Sequence, residues 1–175
     1  MDWRRLRSML LCAAALAGCS PALDWRQVHP EASAATALFP CKPAGHSRRV
    51  QLGTQSVELF VHACSASGAT FALAFATVAE PAQVGPALHA LEDAAAANLG
   101  GTARVDGNAR VNGATPNPEA RRLRIEGHLP SGGAAHMVSA FFAKDTRVFQ
   151  ASMVSGEPLD EEAVETFFGA LSVRS

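Results

Sequence analysis

The chain has 175 residues, 48% of them apolar, enough for one domain with a real core plus flanking segments. Its formal net charge is −1, and the first eighteen residues carry Arg4, Arg5 and Arg7 against Asp2; removing that net +2 leaves −3 on the rest. A mildly acidic chain does not fit a nucleic-acid binder, which needs a basic patch or stripe to neutralise phosphates.

The first element is an export signal. Arg4, Arg5 and Arg7 form a basic start, and Met9 to Ala17 an apolar run. That run is far short of the roughly 20 residues needed to span a bilayer. It ends in Leu16-Ala17-Gly18-Cys19: an aliphatic residue, two small ones, then Cys. The small residues suit an extended backbone entering a peptidase cleft. These four positions resemble the lipobox of bacterial lipoproteins. The resemblance implies cleavage after Gly18, a diacylglyceryl group on the Cys19 thiol, and further acylation of the new amino terminus. Two or three chains give stable anchoring where one is marginal. Ser20 stands where an Asp tends to hold such proteins in the inner membrane, so the same resemblance implies the outer membrane. The alternative is an ordinary signal followed by a chance Cys. Arg4-Arg5 lacks the rest of a twin-arginine export motif and reads as ordinary basic charge.

Residues 19–37 show no sustained period and carry Pro21 and Pro30, which predicts a lipidated tether. Trp25 is left open between packing on the domain and lying at the lipid interface. The domain is expected over 38–175. Of the four cysteines, Cys12 is lost with the signal and Cys19 takes the lipid. Cys41 and Cys64 remain, an even pair in an oxidising compartment, which predicts a disulfide.

Val57, Leu59 and Val61 alternate with Glu58, Phe60 and His62, a strand. Gly68 marks a turn. From Ala69 to Val78, Phe71, Leu73 and Phe75 share one face, and Ala72, Ala74 and Ala76 the other. A strand with one small face predicts a helix pressed against that side. Pro81 and Gly100-Gly101 bracket such a helix, with Val84, Leu88, Leu91, Ala95 and Leu99 on one stripe; Pro86 is the alternative start. Glu92, Asp93 and Asn98 fall off that stripe. Thr102 to Val111 is a weaker strand region broken at Asp106-Gly107-Asn108, which reads as a hairpin turn. Residues 113–118 read as a loop and Leu123 and Ile125 as a half-buried strand. Two strands, His136 to Ala143 and Arg147 to Val154, follow as a hairpin joined at Lys144-Asp145. Asp160, Glu161 and Glu162 open a last helix with Val164, Phe167, Phe168 and Leu171 on its core face. The expected class is α+β, a mainly antiparallel sheet with two helices packed on it.

Three stretches carry a family resemblance: Phe39-Pro40-Cys41-Lys42-Pro43, the helix from Pro81 to Leu99, and the ending Phe168-Gly169-Ala170-Leu171-Ser172 after a hairpin strand. Together they resemble the PsbP-like fold, shared by the PsbP subunit of photosystem II, Ran-binding Mog proteins and many bacterial lipoproteins. Its usual opening is Phe-Pro-Gly-x-Pro and its usual ending Phe-x-x-Ser-Phe, so both motifs here depart from the pattern. The cysteine pair is a further departure and implies a narrower subgroup. Members mostly bind or assist assembly, which is analogy of fold.

Six histidines, His29, His46, His62, His89, His128 and His136, lack ligand spacing, though His62, His128 and His136 fall in or beside strands and share a region if the sheet brings them together. No metal or cofactor is expected. Cys64 beside His62 is a reactive thiol only if unpaired. Arg48-Arg49 and Arg121, Arg122 and Arg124 read as solvated strand edges, or as contacts to lipid head groups or peptidoglycan. The expected function is a non-catalytic binding or assembly module in the envelope, anchored in the outer membrane by its lipid, with an envelope protein as partner and no nucleic acid. The alternatives are an envelope hydrolase or redox enzyme, and a small-ligand or metal binder.

Overall fold

The computed structural model describes residues 23–174. In chain order they form β1 (Arg26–Val28), β2 (Ala35–Phe39), β3 (Ala44–Leu52), β4 (Gln55–Ala66), β5 (Ala69–Thr77), α1 (Val84–Asn98), β6 (Thr102–Asn108), β7 (Arg121–His128), β8 (Ala134–Lys144), β9 (Arg147–Ser155), α2 (Glu161–Gly169) and β10 (Ser172–Val173). The longer strands make an antiparallel seven-stranded sheet ordered β3-β4-β5-β9-β8-β7-β6, and β1-β2-β10 make a second, antiparallel one. The fold is thus α+β, mainly antiparallel, with two helices. The signal and the lipobox to Cys19 lie outside the described residues.

The two faces of β5 set the layers. Phe71, Leu73 and Phe75 pack with Phe142, Phe149, Phe39 and the α2 residues Val164, Phe167 and Phe168. Ala74 and Ala76 face the other way, into a cluster with Val84, Leu88, Leu91 and Ala95 of α1. The small alanine side chains let α1 lie close to the sheet, as the alternation predicts. The second sheet and α2 cover the opposite face.

Each helix ends for a local reason. Pro81–Gln83 is a 3-10 turn leading into α1, which begins at Val84 rather than Pro86. At the far end Gly100, with φ +51, lets its own N–H and that of Gly101 return to the carbonyls of Ala97 and Ala96, at 3.0 and 3.1 Å. That is a Schellman closure. Helix α2 is capped by Asp160, whose carboxylate accepts the Glu162 N–H at 3.0 Å, and its first-turn acids Glu161 and Glu162 face the positive end of the dipole.

Two expectations are corrected, and the place of Trp25, left open by the sequence, is given. The tether expected over 19–37 already belongs to the folded unit from residue 23: β1 and most of β2 lie inside it, and Ala35 and Ala37 are fully buried. Trp25 packs on the domain, edge-on to Phe71 with ring centroids 5.8 Å apart. Asp106-Gly107-Asn108 is no hairpin turn. The strand β6 runs through it with a bulge between Val105 and Gly107, whose φ is +121.

Candidate functional site

The disulfide is present: Cys41, just after β2, is bonded to Cys64 of β4, with Cα atoms 6.0 Å apart. It ties the exit of the small sheet to the central sheet. With its sulfur so bonded, Cys64 is not the free nucleophile that a redox or thiol mechanism beside His62 requires.

The three histidines expected in or beside strands, His62, His128 and His136, do not meet. His62 on β4 faces Gly45 and Leu73 across its neighbours, and stacks on Phe75 at 6.2 Å. His136 on β8 pairs with Glu126 and Ser155, with β9 and β5 between it and β4. His128 ends β7 opposite Ala134. Among the described residues no three His, Cys, Asp or Glu side chains are placed to hold a metal ion. The His62 imidazole is held below its usual range by burial, then by repulsion from His46, with Glu31 pulling the other way.

The arginine run on β7 splits between the two faces. Arg122 and Arg124 lie under α2. Their Nε atoms are 3.0 and 3.2 Å from the Asp106 carboxylate, and their guanidinium nitrogens reach Glu165 at 2.9 Å and Glu161 at 2.7 Å. These charges are internal clamps between β6, β7 and α2, which corrects the reading of a solvated edge. Arg48 and Arg49 do lie exposed on β3, an edge strand.

Arg121 points to the α1 side and joins a cluster that linear reasoning missed. It pairs with Glu119, which also sits 2.9 Å from His89; Glu92 lies 3.8 Å from His89 and 3.9 Å from Arg121. Glu92 is only 8% exposed, and its Oε1 has no hydrogen-bond partner. Burial pushes its carboxyl up, against the pull of Arg121 and His89. This corrects its placing off the buried stripe: four residues beyond Leu88 and three before Ala95, Glu92 borders that stripe and is buried with it.

The most ligand-like feature is an apolar groove of about 600 Å³ at one end of the sheet. Three connections converge there: the β4–β5 turn at Ser67-Gly68, the β7–β8 link from Leu129 to Gly133, and the β9–α2 link from Gly156 to Asp160. Phe71, Ala69, Met153 and Ala163 line it from the core, and Leu23 and Leu159 from the side. Ser155 steadies the end by donating to the Gly68 carbonyl at 3.2 Å and accepting the Glu157 N–H at 3.0 Å. Its size falls within the roughly 300–1,000 Å³ typical of ligand sites, and its lining is of the usual kind, apolar with a few polar groups. A second cleft of about 400 Å³ lies by Arg110, Arg122 and Phe168, but Arg122 is already engaged by Asp106 and Glu165.

Compared with known proteins, the chain matches no family profile and no curated protein.

Proposed function

We propose that this chain is an outer-membrane-anchored envelope lipoprotein of PsbP-like fold, acting as a non-catalytic binding module. The lipid sits on Cys19 and the domain works from the periplasmic side. The observation that carries this reading is the apolar groove whose side is Leu23, four residues from Cys19. Four extended residues span at most about 14 Å, so the anchor would hold the mouth of the groove near the bilayer surface. The Cys41–Cys64 bond fits an oxidising compartment. The antiparallel sheet with helices on both faces is compatible with the PsbP-like pattern that the opening and closing motifs resemble.

The test is photo-crosslinking in cells. A photoreactive residue is placed at the exposed Pro158 on the groove rim, or at the exposed Asp93 on α1 as a control. The reading predicts one defined species captured from Pro158 and not from Asp93. Equal capture from both positions, or hydrolytic activity in the purified protein, would overturn it.

A further inference from the structure

We infer that the groove takes one acyl chain of an amine-bearing zwitterionic lipid from the membrane to which the protein is anchored. The inference rests on the lipoprotein reading above and goes further by naming the class of ligand.

The wall chemistry selects a hydrocarbon chain. Half-buried Leu23, Leu129 and Leu159 offer apolar surface over a floor of buried Phe71, Met153 and Ala163, and side-chain polar atoms beside them are already engaged. The Ser155 hydroxyl is used twice, by Gly68 and Glu157, and the Asp160 carboxylate accepts the Glu162 amide. A ligand entering here therefore need not bring hydrogen bonds to the floor. A peptide would, because its backbone groups go unpaired against such a surface. A saturated chain has none to satisfy.

The rim selects the head group. Glu157 and Asp160 both line the groove, and no cation among the described residues is paired with either. Two carboxylates at the mouth repel a free fatty acid or an anionic phospholipid. They attract the ammonium of phosphatidylethanolamine. Placement supplies the source. With Cys19 four residues from Leu23, the molecules within reach of the mouth are those of the bilayer itself.

The experiment uses the full-length lipidated protein in phosphatidylcholine vesicles doped with phosphatidylethanolamine or phosphatidylglycerol, each carrying a diazirine in one acyl chain. After irradiation, cross-linked peptides are mapped by mass spectrometry, and the lipid on the Cys19 peptide is weighed in the same digest. The expected result is cross-linking to peptides holding Leu23, Leu129 and Leu159, stronger with the ethanolamine lipid. Gly133→Phe fills open space at the rim, where an added Cβ meets nothing within 4 Å. It should abolish those cross-links while leaving the thermal midpoint and vesicle binding unchanged. Glu157→Lys should reverse the head-group preference. Cross-links that miss the groove, or survive Gly133→Phe, overturn the inference while leaving the anchor intact. So does a groove filled by the protein's own acyl chain, seen when the label is fed to cells as a diazirine fatty acid. A Cys19 peptide without lipid overturns the anchor reading, and the inference with it.

Discussion

Arg124 on β7 and Glu161 in the first turn of α2 form a two-pronged ion pair, Nη1 to Oε1 and Nη2 to Oε2 both at 2.7 Å. The residues are 37 positions apart, and the pair fastens α2 to the outer strands of the sheet. Glu161 is 62% exposed at its side chain, so water screens much of the attraction. A double-mutant cycle of Arg124→Met and Glu161→Gln should give a coupling of only about 0.5–1 kcal/mol. The pair has a pH signature. Hydrogen bonding and charge from Arg124 hold the Glu161 carboxyl below its ordinary 4.5. The stabilisation is complete above that value and is lost as pH falls through the lower folded value. The stability gap between wild type and Glu161→Gln should therefore close in acid; a gap independent of pH would contradict the assignment.

Glu92 should behave with the opposite sign. Its carboxyl is raised above 4.5 in the folded protein by burial. The native state then holds the proton more tightly than the unfolded chain, so Glu92 costs stability as pH rises from about 4.5 through its folded value. Glu92→Gln removes that cost. We expect a gain in stability at neutral pH, fading below 4.5, measured by urea unfolding. A neutral-pH loss would mean that the attraction to Arg121 and His89 outweighs burial.

The end of α1 rests on glycine. A Cβ at Gly127 would lie 2.3 Å from the Leu99 carbonyl oxygen and 3.0 Å from the Gly101 Cα, both backbone atoms that cannot swing aside. Such a Cβ would also prise apart the bond from the His128 N–H to that Leu99 carbonyl, 2.8 Å long. Gly127→Ala should cost at least about 1–3 kcal/mol. Gly133→Ala, in open space, serves as the control. Equal midpoints for the two variants would refute the close approach.

Much of the central sheet was legible because its strands are buried on one or both faces. The alternation of Phe71, Leu73 and Phe75 with alanines located both β5 and the side on which α1 packs. Of β3 only the solvated edge at Arg48-Arg49 was legible, and not its bounds, because most of its residues face solvent and no alternation is selected. The short strands β1 and β10 carry too few residues for a period to register. Asp106-Gly107-Asn108 has the composition of a turn but serves as a bulge, with Asp106 beside Arg122 and Arg124. The groove was not legible at all. Its lining comes from three connections far apart in sequence, each of which reads on its own only as a turn.

Reduction offers a direct check on the staple. Cys41 and Cys64 close a loop with a sequence separation of 23. Replacing both with Ala should lower stability by about 3 kcal/mol on the chain-entropy estimate. Before reduction the exported protein should show no reactive thiol. Ready labelling of Cys64 in the native exported protein would reopen the thiol-enzyme alternative.

The mass of the N-terminal peptide bears directly on the lipid anchor that we propose at Cys19. Protein extracted from membranes of the native host should begin at Cys19 and carry diacylglycerol on its thiol, with or without an added amide-linked chain. A chain that begins elsewhere, or a Cys19 with an unmodified thiol, would mean that the domain has no lipid anchor there.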